Sequence, residues 1–157
     1  MNSGAVLCLS IAYAAFATQL QINGNAKISS DEWNVEITNI TATPTGNADG
    51  GEPTYTKTTA TFEAKLVTPG DTVTYDITIT NKGSKTAYFD KQEWVNELGS
   101  DAPITYTTPE DSVFSTPLAQ NQTVTFQVIA TYNADADGTT SSTSKTITGT
   151  IDYKDAA

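Results

Sequence analysis

From Thr18 onward, apolar residues recur at every second position, the spacing of strands that bury one face. Leu20, Ile22, Ala26 and Ile28 share one parity, with Gln19, Gln21, Asn23, Asn25 and Lys27 on the other. Trp33, Val35 and Ile37 begin a second run, whose phase slips at Asn39 so that Ile40 and Ala42 continue it. One extra residue in the strand, a β-bulge, accounts for such a slip. The stretch from Thr43 to Thr54 holds Pro44, Gly46, Asn47, Gly50, Gly51 and Pro53 and reads as a loop. Ala60, Phe62, Ala64 and Leu66 predict a third strand, ended by the turn Pro69-Gly70-Asp71. Val73, Tyr75, Ile77 and Ile79 predict the fourth and most regular strand, closed by Asn81-Lys82-Gly83.

The second half is less uniform. A short strand is expected from Thr86 to Phe89, after which Asp90-Lys91-Gln92-Glu93 has the form of a helix capping box. It predicts one or two helical turns with Trp94, Val95 and Leu98 on one face before Gly99; a strand is the alternative. Ile104 to Thr107 reads as a short strand and Pro109 to Pro117 as irregular. Val124, Phe126, Val128, Ala130 and Tyr132 form a long strand, Asn133 to Gly138 turns the chain, and Ile147, Ile151 and Tyr153 form the last strand. Gly149 permits a bulge or close packing there. About eight strands, each with one apolar face, predict an all-β two-layer sandwich over residues 18–155.

The residues before Thr18 follow another rule. Ala5 to Ala17 read AVLCLSIAYAAFA, an apolar run ending in the small-x-small pattern Ala15-Phe16-Ala17. The run is too short to cross a bilayer comfortably, so residues 1–17 are expected to be an export signal, although Met1 to Gly4 carry no basic residue. A buried helix of the domain is the alternative. On the export reading the processed chain is extracellular or on the cell surface and keeps no stable membrane span.

Composition narrows the function classes. The 157 residues suit one domain, and threonine is the commonest among them, which favours strands. A net charge of -10 repels phosphate backbones, so nucleic acid is a poor partner. The single cysteine, Cys8, lies in the export segment, which leaves no intrachain disulfide. Histidine is absent, which removes His-based catalytic triads and His-ligated zinc; no Gly-rich phosphate loop occurs. No catalytic residue is assigned, and no enzyme is expected. Calcium is the one cofactor the sequence brings up: Asn133, Asp135 and Asp137 alternate before Gly138 like the start of a calcium loop. Ser144 stands where such a loop would need its glutamate, and a plain hairpin turn uses the same residue types.

The run from Thr68 to Ser84, TPGDTVTYDITITNKGS, resembles a segment of immunoglobulin-like domains in bacterial and archaeal surface proteins. With the AYAAFATQLQINGNAKI passage and Trp33-Asn34-Val35, the chain is similar to the TasA/camelysin group of biofilm-fibre proteins. That resemblance implies an exported, single immunoglobulin-like sandwich that serves as a structural subunit of an extracellular filament, pilus or biofilm matrix. Its partner would be a second copy or a related surface subunit. Cleavage after Ala17 would free an alternating N-terminal strand, with Leu20, Ile22, Ala26 and Ile28 as its apolar face, to complete a neighbour's sheet. Pairing of that strand within its own domain is the alternative, as is a monomeric adhesin or carbohydrate-binding module.

Overall fold

The computed structural model describes residues 14–24, 34–96, 103–133 and 147–154, with backbone alone for 14–24 and for Asn96. The described residues contain nine strands and no α-helix. In chain order they are β1 (Ala14–Gly24), β2 (Val35–Pro44), β3 (Thr54–Tyr55), β4 (Thr59–Leu66), β5 (Thr72–Asn81), β6 (Tyr88–Asn96), β7 (Ile104–Thr107), β8 (Thr123–Tyr132) and β9 (Ile147–Lys154). A single 3-10 turn at Asp111–Phe114 lies between β7 and β8. One sheet has the order β3-β4-β1-β9-β6 and the other the order β2-β5-β8-β7.

The two sheets share one apolar core, as a sandwich requires. The period-two pattern is the cause. In β4 buried and exposed residues alternate without a break, and in β5 Val73, Tyr75, Ile77 and Ile79 are each wholly inaccessible. Aromatic rings join the layers: Phe62 on β4 meets Tyr75 on β5 at a centroid distance of 4.1 Å. Phe114, from the 3-10 turn, stacks on Phe89 of β6 at 4.9 Å and meets Phe126 of β8 edge-on at 5.2 Å. The expected bulge in β2 is present, where the register with β5 shifts between Ile37 and Asn39 and so returns Ile40 to the core.

Threonine has a different task. The outward positions of β5 and β8 pair Thr78 with Thr125 and Thr72 with Thr131 in register, and the Thr78 and Thr125 hydroxyls are 2.9 Å apart. Cross-strand hydroxyl pairs of this kind add modestly to sheet stability while keeping the face wet.

Among the described residues the buried polar side chains are Asp71, Thr80 and Asn81, and two of these close the ends of β5. At one end, the Asp71 carboxylate accepts backbone N–H bonds from Val67 at 3.1 Å, Thr68 at 2.9 Å and Asn47 at 3.2 Å. Gly46 sits against this carboxylate at a φ of 62°, where a side chain would collide with it. At the other end, the Asn81 amide donates to the carbonyls of Lys85 and Leu118, both at 2.7 Å, and its side-chain oxygen accepts from the Gly83 N–H at 2.9 Å. The Pro-Gly-Asp and Asn-Lys-Gly turns are therefore each built around one buried polar side chain.

The helical turns expected after Asp90 do not form. β6 runs unbroken from Tyr88 to Asn96, pairs with β9, and shifts register between Phe89 and Lys91. Trp94 and Val95 accordingly fall on opposite faces, the first packed against the core and the second exposed. A continuous ladder with β9 outweighs the local capping signal, which is worth only about 1 kcal/mol.

Candidate functional site

The candidate site is the place of β1 in the first sheet. β1 pairs antiparallel with β4 on one side and parallel with β9 on the other. β4 and β9 are not paired with each other, so β1 alone joins the β3-β4 half of the sheet to the β9-β6 half. Parallel pairing between the first and last strands is possible because the rest of the chain forms the crossover between them.

The register of β1 matches its sequence pattern. On the core parity, Ala14 stands opposite Leu66, Phe16 opposite Ala64, Thr18 opposite Phe62 and Leu20 opposite Ala60. Along β9 the same parity sets Thr18 beside Ile147, Leu20 beside Gly149, Ile22 beside Ile151 and Gly24 beside Tyr153. All of these β4 and β9 partners are buried. Leu20 and Ile22, expected on the apolar face of the strand, thus occupy core-side register positions within their own chain. Ala26 and Ile28 lie outside the described residues. β1 begins at Ala14, so the expected boundary after Ala17 falls inside the strand.

Gly149 is a point of close packing, as its place in an apolar strand predicts, and Trp94 supplies the reason. The indole ring lies where a Cβ on Gly149 would be, and its N–H donates to Gln92 Oε1 at 2.9 Å. Gln92 in turn donates to Pro109 O at 2.8 Å and to Asp111 Oδ1 at 2.7 Å, which ties β6 to the segment before the 3-10 turn. Nothing in the alternation of β6 points to this chain of hydrogen bonds, because its partners are more than 15 residues apart in sequence.

Two phenols are buried in the core, Tyr75 on β5 and Tyr153 on β9. Tyr75 donates to Gly50 O at 2.9 Å; its pKa is raised by burial first, then by the nearby Asp49 and Glu63 carboxylates. Burial also raises the Tyr153 phenol, whose hydroxyl has no hydrogen-bond partner among the described residues.

A pocket of about 410 Å³ opens at the β3–β4 edge, lined by residues that include Asp49, Glu52, Phe62, Glu63 and Lys65. Among the described residues no group of three Asp, Glu, His or Cys side chains is placed to hold a metal ion. Of the expected calcium residues, Asn133 is half-buried with its N–H donating to Pro103 O at 2.6 Å, and Asp135 and Asp137 lie outside the described residues. No helix among the described residues is long and apolar enough to cross a membrane.

Comparison with family models, with curated proteins and with solved structures finds no match.

Proposed function

We propose that this chain is an exported structural subunit of an extracellular filament or matrix, an immunoglobulin-like sandwich that assembles by passing its N-terminal strand to a neighbour. The observation that carries the reading is the position of β1, the first strand, wedged between two strands that do not otherwise pair. A sheet completed by the first strand of its own chain is completed equally well by the same strand of another copy. Exchange is thermodynamically inexpensive, because each ladder hydrogen bond given up within the chain is remade between chains. When each subunit gives its strand to the next and receives one from the last, the interface is head-to-tail and need not close, which yields a filament. The acidic surface and the lack of intrachain disulfides suit a soluble exported subunit held together by strand pairing.

Cysteine exchange tests this directly. Gln19 and Thr61 are register partners on the outward parity of β1 and β4. Opposite residues of an antiparallel pair lie about 4.5–5.5 Å apart at Cα, within disulfide range. In a Cys8→Ser background, Gln19→Cys subunits mixed with Thr61→Cys subunits should form disulfide-linked dimers under mild oxidation, and electron microscopy of the unmodified protein should show filaments. A protein that stays monomeric at high concentration, and forms the disulfide only when both substitutions are in one chain, would replace this reading with that of a monomeric adhesin or carbohydrate-binding module.

A further inference from the structure

We infer that the groove between β4 and β9 reads the sizes of the residues inserted into it, and so selects the strand of a second copy of this chain in one register; the inference rests on the assembly reading above. The β4 wall of the groove alternates in bulk. Along β4 the core-side residues are Ala60, Phe62, Ala64 and Leu66, and along β9 they are Ile147, Gly149, Ile151 and Tyr153. The residues of β1 after Ala17 alternate in the opposite sense to their β4 partners. Thr18 is small and stands between the bulky Phe62 and Ile147, whereas Leu20 is large and stands opposite the small Ala60. Gly24 stands beside Tyr153. The rung at Ile22 and Ile151, large beside large, is the exception.

Facing layers pack to native density when large residues meet small ones, so this inverse pattern is a condition for a filled core. It also excludes neighbouring registers. A slip of one residue turns the apolar parity to solvent. A slip of two keeps the parity but breaks the size match. In one direction Leu20 would meet Phe62 and Ile147. In the other, Thr18 would leave space beside Ala60, and Ile22 would crowd Tyr153. Trp94 fixes the far wall, since its ring fills the position over Gly149 and leaves Ala60 as the adjustable side of the Leu20 rung. A strand with the same hydrophobicity but another order of sizes satisfies the parity and fails the groove.

The test exchanges the sizes without changing composition. Donor subunits carrying Gln19→Cys with Thr18→Leu and Leu20→Thr are compared with Gln19→Cys donors for linkage to Thr61→Cys acceptors. Linkage should fall about tenfold. In the unmixed protein, where β1 fills its own groove, the same swap should lower Tm by about 5 °C or more. A second pair guards against a swap that does not fold. Acceptors carrying Ala60→Leu with Thr61→Cys should prefer Leu20→Ala donors to donors with Leu20 intact, which reverses the natural preference. Swapped donors that link and melt like the parent, or Ala60→Leu acceptors that keep the parent preference, overturn the size code. Parent donors that never link between chains overturn the assembly reading instead, and the melting shifts then still decide whether the groove reads size.

Discussion

β5 and β1 each occupy the middle of a sheet, yet they are held in different ways. β5 has antiparallel neighbours on both sides, and its ends are fixed by Asp71 and Asn81, whose buried side chains bind backbone groups of the adjoining turns. The turns, the strand and its partners therefore form one cooperative unit. β1 is held by its two ladders, parallel on one side and antiparallel on the other. β5 is thus tied to its own turns, whereas β1 is tied to the sheet by pairing alone.

The same insult applied to each strand should separate them most clearly. Ile77→Asp places an unpaired carboxylate in a wholly buried position of β5, a cost of several kcal/mol that exceeds what one domain can spare, and should abolish folding. Ile22→Asp, at the rung beside Ile151 in β1, should leave a soluble chain with a β-type far-ultraviolet circular dichroism spectrum that no longer assembles. Equal loss of structure in both variants would show that β1 is as integral to its own chain as β5 is.

A smaller effect tests the anchors of β5. Asn81→Leu leaves the carbonyls of Lys85 and Leu118 and the N–H of Gly83 without their side-chain partner and should cost about 3 kcal/mol in chemical unfolding. Asp71→Ala strands three N–H groups nearer the surface and should cost about 2 kcal/mol. Losses below about 0.5 kcal/mol in both would remove the physical basis of the contrast between the two strands.

The two phenols give the finest test. Tyr75→Phe forfeits the bond to Gly50 O and should destabilise by about 1 kcal/mol at neutral pH, whereas Tyr153→Phe removes a hydroxyl with no partner among the described residues and should be neutral or stabilising. Both phenols titrate above the ordinary value near 10 because burial opposes the phenolate. Each stays protonated in the folded chain while the unfolded chain ionises. Their contribution is therefore intact below pH about 10 and is lost progressively as the pH rises beyond it. Unfolding free energies measured across that range should fall steeply in the parent and less steeply in either phenylalanine variant; unchanged slopes would show that the phenols are not the groups responsible.

What is legible in the sequence is whatever repeats along one strand. The alternation of β4, β5 and β8 and the slip at Asn39 can be read directly, because burial of one face imposes a period of two and a bulge breaks it. Pairing between remote segments cannot be read. β6 is ambiguous because Asp90 to Glu93 carry a local helix signal, and the ladder to β9 that overrides it involves residues more than 50 positions away. Asp71 and Asn81 are visible as turn residues, but not as buried hubs, since turn chemistry calls for the same side chains at the surface. In the groove, the alternation of Ala60, Phe62 and Ala64 is plain in the sequence, while what it faces depends on a register between the first strand and the last.

The bulge in β2 lies where the edge of its sheet is covered. β2 is an edge strand, and its unpaired side would ordinarily be a template for another chain. Around the bulge that side is already occupied: the Ile37 N–H donates to Lys57 O at 2.7 Å, and Thr38 O accepts the Tyr55 hydroxyl at 2.9 Å. β3 and the turn between β3 and β4 thus cover the edge of the second sheet at Ile37 and Thr38. A further strand added to β2 at Ile37 and Thr38 would have to displace that cover.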